Sequence, residues 1–271
     1  AGSSNGTDVF TYTLSDGTAT DTATLTFTVT GSNAAPSATA DTGYIAEDSS
    51  FSVSDGAAAE DGTDSNTNNE SGDHTGDVLG NDSDSDGDSL TITSITATTA
   101  GGSAQTTFTS NTETVTGAYG TLTINSNGSY SYAATADAAD ALDAGDTITD
   151  VFTYIVSDGT DTDTSTLTIT IAGINDAPVA QDDVGVIVEG GTLTVANSAN
   201  ANVSGSYDAT GEHSGDVIDT SSASHTDSDA DASASLTITE IRTGATENAG
   251  TSGTVGAALT GTYGQLTIAS D

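Results

Sequence analysis

The chain has no cysteine among its 271 residues, which excludes a disulfide framework and thiolate metal sites. Basic side chains are almost as scarce. Arg242 stands alone against 40 acidic side chains, giving a formal net charge of −39. Nucleic acids and anionic membranes are captured by clustered Lys and Arg, so neither is expected as a partner. Tryptophan is absent too, and with it much of the aromatic platform of a sugar-cleaving cleft. No apolar run approaches the ~20 residues of a membrane-spanning helix, so membrane insertion is not expected. No signal peptide opens the chain, although residue 1 falls inside a repeat and the sequence reads as a window on something longer.

What is present is a repeat. Asp150 to Asp183 reads DVFTYIVSDGTDTDTSTLTITIAGINDAPVAQDD, and Asp8 to Asp41 reads DVFTYTLSDGTATDTATLTFTVTGSNAAPSATAD. The offset is constant (150 − 8 = 142), and the two prolines, Pro36 and Pro178, keep it. Self-similarity on this scale marks a tandem array. Each copy alternates large apolar residues with threonine, as in Phe10, Tyr12, Leu14 and then Leu25, Phe27, Val29, the period of a strand with one buried face. Asp16-Gly17 and Asp158-Gly159 supply the turn. Gly173 to Pro178 cannot continue a central strand, because proline lacks the donor, so it reads as a seam.

These features set the expected domains. Residues 1–36 are the closing hairpin of a preceding repeat and its linker, 37–177 a complete repeat, and 178–271 the start of the next. Strands are expected at Tyr44-Ile45, Phe51 to Val53, Asp77 to Leu79, Leu90 to Ile92, Gly120 to Ile124 and Tyr130 to Tyr132, besides the two of the hairpin. The stretch 54–76 reads as a surface loop, and nothing longer than Ala133 to Leu142 looks helical. Seven to nine short strands with frequent turn residues indicate an all-β fold, an immunoglobulin-like antiparallel sandwich. A unit of this size buries roughly two thirds of its unfolded surface and can fold by itself. The last segment repeats the order: Gly211 to Ile218 matches Gly72 to Leu79, and Tyr263 to Ile268 matches Tyr119 to Ile124. The two ends nearly make up one domain between them. That phase fits either a crop from a long array, the favoured expectation, or head-to-tail assembly in which one copy's hairpin completes another's sheet.

At "GTYGQLTI", "ALDAGDTITDVFTYIVSDG", "STLTITIAGINDAPVA" and "DVLGNDSDSDGDSLTITSI" the chain resembles the VCBS-type, cadherin-like repeats of giant bacterial surface adhesins, RTX adhesins among them. The likeness covers most of both units and departs at 54–76 and 96–118. It implies tandem immunoglobulin/cadherin-like β-sandwiches, calcium that stiffens the array, type I secretion to the extracellular cell surface, and roles in adhesion and biofilm.

The sharpest candidate site is Asp82-Ser83-Asp84-Ser85-Asp86-Gly87-Asp88. Alternate carboxylates with a glycine after the third suit a hard cation bound through oxygen. An EF-hand is excluded, because its closing Glu would fall at Thr93 in an expected strand. An inter-strand loop gathering two or three carboxylates around calcium is the better reading. Its counterpart, Asp227, Asp229 and Asp231, keeps the acids and loses the glycine. The seam is the second candidate: Asp176, Asp182, Asp183 and Glu189 are similar to a cadherin linker, where carboxylates of neighbouring domains share calcium. The first seam has Ala34 in place of Asp176 but retains Asp41 and Glu47, so a weaker or absent ion is expected there. Seam and loop could also converge on one site. Against this stands the bland reading that Asp, Asn and Gly are what turns use and that acidic surfaces keep proteins soluble. His74 and His213 hold equivalent positions, His225 has none, and all three read as polar loop residues. Triads drawn from so many Ser and Asp residues carry no weight. No enzymatic activity is expected.

The sequence therefore reads as a calcium-stiffened structural segment of a long extracellular adhesin or biofilm-matrix protein. Its partners would be neighbouring repeats and possibly other copies. The alternative is a self-assembling subunit of an extracellular filament or sheath.

Overall fold

The computed structural model describes residues 5–58, 74–99, 106–108, 110–187, 189–195, 212–213, 217–218, 226–245 and 249–270. Most of the 54–76 loop, much of Gly211 to Gly215, Val188 and His225 lie outside them. The chain divides into two compact units, Ala1–Ile174 and Asn175–Asp271.

The first unit opens with a ribbon of β1 (Gly6–Ser15) and β2 (Thr20–Val29). Gly17 turns it at φ 92°, and Asp16 Oδ1 receives the N–H groups of Thr18 and Ala19 at 2.8 and 2.7 Å. Nine further strands follow: β3 (Asp41–Ala46), β4 (Ser50–Val53), β5 (Thr91–Ala97), β6 (Thr106–Thr107), β7 (Thr112–Thr116), β8 (Thr121–Asn125), β9 (Tyr130–Ala133), β10 (Thr147–Ser157) and β11 (Thr162–Ala172). A single helical turn, α1 (Asp137–Asp140), separates β9 from β10. One sheet runs β3-β11-β10-β5-β6 and the other β4-β9-β8-β7. The fold is an all-β sandwich, and its pairings are antiparallel except β3 against β11.

Alternation explains the layers. Phe152, Tyr154 and Val156 from β10 and Leu167, Ile169 and Ile171 from β11 face inward, where they meet Leu122 and Ile124 of β8 and Tyr132 of β9 in one core. Each such side chain contributes about 1.5–3 kcal/mol when fully buried. The opposite face, half in water, is mostly threonine, with Val151 and Ile155 of β10 among them.

Two local expectations need correction. Asp77 to Leu79 is a turn, not a strand, because the Asp77 carboxylate draws in the N–H groups of Leu79 and Gly56 at 3.0 and 2.8 Å; Val78 is nonetheless fully buried. Between 106 and 116 the chain forms β6 and β7, whose pattern of Thr and Glu with one buried apolar residue, Val115, gives little periodic signal.

In the second unit the described strands are short pairs: Gly185–Val186 with Glu212–His213, Ile241–Arg242 with Ser252–Gly253, and Leu259–Thr260 with Gln265–Leu266. They echo the first unit. Gly185 opposes His213 as Gly43 opposes His74, and Leu259 opposes Leu266 as Val115 opposes Leu122.

Candidate metal centre

The 82–88 loop curls around one carboxylate. Asp84 Oδ1 accepts the N–H groups of Asp86 at 2.8 Å and Asp88 at 3.2 Å. Gly87 takes φ 75°, the left-handed region that glycine enters without penalty, and its N–H returns to the Asp84 carbonyl at 3.2 Å. The alternation therefore acts as a ring rather than a strand. One carboxylate oxygen from each of Asp84, Asp86 and Asp88 lies within 4.8 Å of the others.

The loop also grips the segment that leads out of the hairpin. Asp86 Oδ2 accepts the Ala34 N–H at 2.7 Å, and Asp82 Oδ1 accepts that of Thr39 at 2.7 Å. Between them Ser37 and Ser83 exchange backbone hydrogen bonds of 2.8 and 3.1 Å. From the other side, the turn and start of the β10–β11 hairpin bind the same segment. The Asn33 amide donates to Asp158 and Asp161 at 2.8 Å each, and Asp163 receives the Ala38 N–H at 2.9 Å. The connector is thus held between the loop and the hairpin turn.

Electrostatics sort these acids. The Asn33 amide and the turn N–H groups hold Asp158 below the usual carboxylate range, and the backbone N–H groups of Ala38 and Thr164 do so for Asp163. Burial pushes Asp82 up, and the charges of Asp163 and Asp77 add to it. Neighbouring Asp41 is pushed up to about 6 by burial, against hydrogen bonds from Tyr154, Thr75 and Asn81. The Oδ2 atoms of Asp82 and Asp84 are buried without a hydrogen-bond partner. The close group of Asp84, Asp86 and Asp88, with a buried Asp84 oxygen that no N–H reaches, fits a calcium ion; among the described residues Asp82 lies outside that group. No side-chain cation serves instead, since Arg242 pairs with Glu240 at 2.7 Å in the second unit.

The hydrogen bonds to the connector recur in the second unit, although among the described residues Asp227, Asp229 and Asp231 do not form a close group of their own. Asp231 Oδ2 accepts the Asp176 N–H at 3.0 Å, Asp227 Oδ1 accepts that of Gln181 at 2.8 Å, and Asp229 Oδ1 accepts that of Asp231 at 3.0 Å. Val179 and Ser228 exchange backbone bonds of 2.7 and 3.0 Å. Asp231 Oδ1 is buried without a hydrogen-bond partner. Losing the glycine of the first loop has not cost this loop its curl.

Glu47 is fully buried, with Oε1 accepting the Ile174 N–H at 2.6 Å. Asp182 and Glu189 are exposed and Asp183 half-buried, and among the described residues none of these three joins a close group of acids.

Sequence reasoning did not foresee the burial of three polar groups. His74 is not a plain loop residue: it is buried, stacks on Phe51 at 6.4 Å, and accepts the Gly76 N–H on Nδ1 at 3.0 Å. Asp41 receives the Tyr154 hydroxyl at 2.6 Å. Asp150, fully buried, receives Tyr132 Oη at 2.7 Å and the N–H groups of Ala118 and Tyr119 at 2.8 and 3.1 Å. Parity was the available signal. Asp150 is in phase with Phe152 and Tyr154, and Asp41 with Ile45, so each had to point inward.

Among the described residues no helix is long and apolar enough to cross a membrane. A family model for the bacterial cadherin-like domain matches residues 33–173. No curated protein matches the chain.

Proposed function

Because this chain belongs to the bacterial cadherin-like domain family, we propose that it is a calcium-stiffened structural segment of a long extracellular bacterial adhesin or biofilm-matrix protein. Family membership supports an adhesin-type repeat at the cell surface. One observation carries the calcium reading: Asp84, Asp86 and Asp88 converge to within 4.8 Å while buried oxygens of Asp82 and Asp84 have no hydrogen-bond partner, in a chain with a single basic residue. Asp82, Asp84, Asp86 and Asp88 would hold the ion, with Asp227, Asp229 and Asp231 the equivalent set. When bound, calcium neutralises carboxylates that repel one another. Magnesium fits less well, since it keeps its waters and favours phosphate partners.

The mechanism is mechanical. The loop already ties Ala34 and Thr39 to the sandwich, so the residues that would take up calcium are those that fix the seam. Neutralising them makes the connector stiffer. No catalysis enters this reading, and the export route is that of the type I-secreted adhesins the repeats resemble.

Calorimetric calcium titration of the chain tests it, with Asp84→Asn and Asp229→Asn compared singly and together. Binding in the wild type, weakened by each substitution and lost in the double variant, is the expected result. A wild type that takes up no calcium at millimolar concentration overturns the reading.

A further inference from the structure

The parallel ladder of the sandwich joins the strand by which the chain enters it to the strand by which the chain leaves. β3 pairs with β11 along its whole length, from Asp41 opposite Leu167 to Ala46 opposite Ala172. β3 lies at the edge of its sheet, with β11 as its strand neighbour. The contact starts before β3. Asn33 donates to Asp158 and Asp161, and the Ala38 N–H to Asp163, so the entering chain already lies against the hairpin turn and the first residues of β11.

It also continues past β3. The Glu47 N–H donates to the Ala172 carbonyl at 2.9 Å, and the buried Glu47 Oε1 accepts the Ile174 N–H at 2.6 Å. Between these two bonds the Gly173 N–H donates to the Asp146 carbonyl at 2.9 Å. An added Cβ at Gly173 would stand 2.3 Å from the Asp143 carbonyl oxygen, so the leaving chain is enclosed on that side too.

Strand direction decides what tension does to such a pair. In a chain stretched end to end, load draws β3 back toward its first residue and β11 onward past its last. Because the strands are parallel, the two pulls oppose each other along one axis. The ladder is sheared, and its evenly spaced bonds carry the load together. An antiparallel pair in the same place would open from one end and lose its bonds in turn. Glu47 bonds both Ala172 and Ile174, so β11 cannot slide along β3 without parting from it.

We propose that the 33–174 repeat bears tension along the chain, with β3 and β11 as a shear clamp and Glu47 as the latch on its exit end. This deepens the structural-segment reading, from which it takes only that load enters before β3 and leaves after β11. The clamp does not require calcium, whereas the aspartate loop acts on the connector.

The chain has no cysteine, so thiol handles set the direction of pull. Gly31→Cys with Ala177→Cys loads the full chain along its own path, whereas Ser50→Cys with Ala177→Cys draws apart the adjacent ends of β3 and β11. Optical tweezers in excess chelator keep failure of the calcium reading from resembling failure of the clamp. The first pair should withstand about twice the unfolding force of the second or more, since bonds loaded together must fail together. Glu47→Ala should shorten the lifetime at fixed force about tenfold along the chain's own path and leave it nearly unchanged in the other direction. Glu47→Gln keeps an acceptor oxygen and should restore most of that lifetime. Equal forces in the two directions would overturn the clamp. A Glu47→Ala loss that is absent, or the same in both directions, would overturn the latch.

Discussion

Asp86 Oδ2 accepts the backbone N–H of Ala34 at 2.7 Å, and Asp231 does the same for Asp176 at 3.0 Å. The side chain that would serve as a metal ligand thus also anchors the connector. Asp86→Ala should lower stability by about 1–2 kcal/mol, the scale of a hydrogen bond to a charged group near the surface. Hydrogen exchange at Ala34 and Thr39 should accelerate while β10 and β11 amides remain protected. Uniform acceleration across the sandwich would show that the loop supports the core rather than the seam.

Asp150 sets a buried carboxyl group on three donors, and Gly117 makes room for it: a Cβ there would stand 2.0 Å from Asp150 Oδ2. Asp150→Ala strands the N–H groups of Ala118 and Tyr119 and the Tyr132 hydroxyl away from water. A loss of about 2–4 kcal/mol is expected in denaturant unfolding. Gly117→Ala should be destabilising although it adds only a methyl group, because the neighbour it meets is a carboxylate already fixed by three bonds. A neutral Gly117→Ala would contradict this account of the turn.

Much of this was legible in the sequence, and for a physical reason. Strand alternation at Phe152, Tyr154, Leu167 and Ile169 is a local consequence of burying one face, and so are the Asp-Gly turns. The alternating acids of 82–88 showed where carboxylates gather, but not that Asp82 and Asp86 would seize Thr39 and Ala34, which depends on how distant segments meet. Asp158, Asp161 and Asp163 looked like turn residues and are that; their further hold on Asn33 and Ala38 is tertiary. β7 escaped notice because an edge strand with one buried side chain, Val115, needs little hydrophobic pattern.

Burial raises the Asp41 carboxyl from 3.8 to about 6. A folded-state value above the unfolded one means that the native state binds the extra proton between about pH 4 and 6, so stability rises as pH falls through that window and is lost again as pH rises through 6. In calcium-free buffer the melting temperature should climb from pH 7 to pH 4.5. Asp41→Asn should flatten the part of that rise between about pH 4 and 6, worth on the order of 1–3 kcal/mol. An unchanged profile in the variant would show that another group controls the response.

The central claim is that divalent metal on the aspartate loops stabilises these acidic sandwiches, and thermal unfolding in millimolar calcium against excess chelator, at constant ionic strength, tests it most directly. An ion at a hundredfold excess over its dissociation constant adds about 2.7 kcal/mol to the folded state, which for a repeat of this size raises the melting temperature by about 5–10 °C, and Asp84→Asn should remove much of that gain. Superimposable melting curves in calcium and chelator would contradict the account.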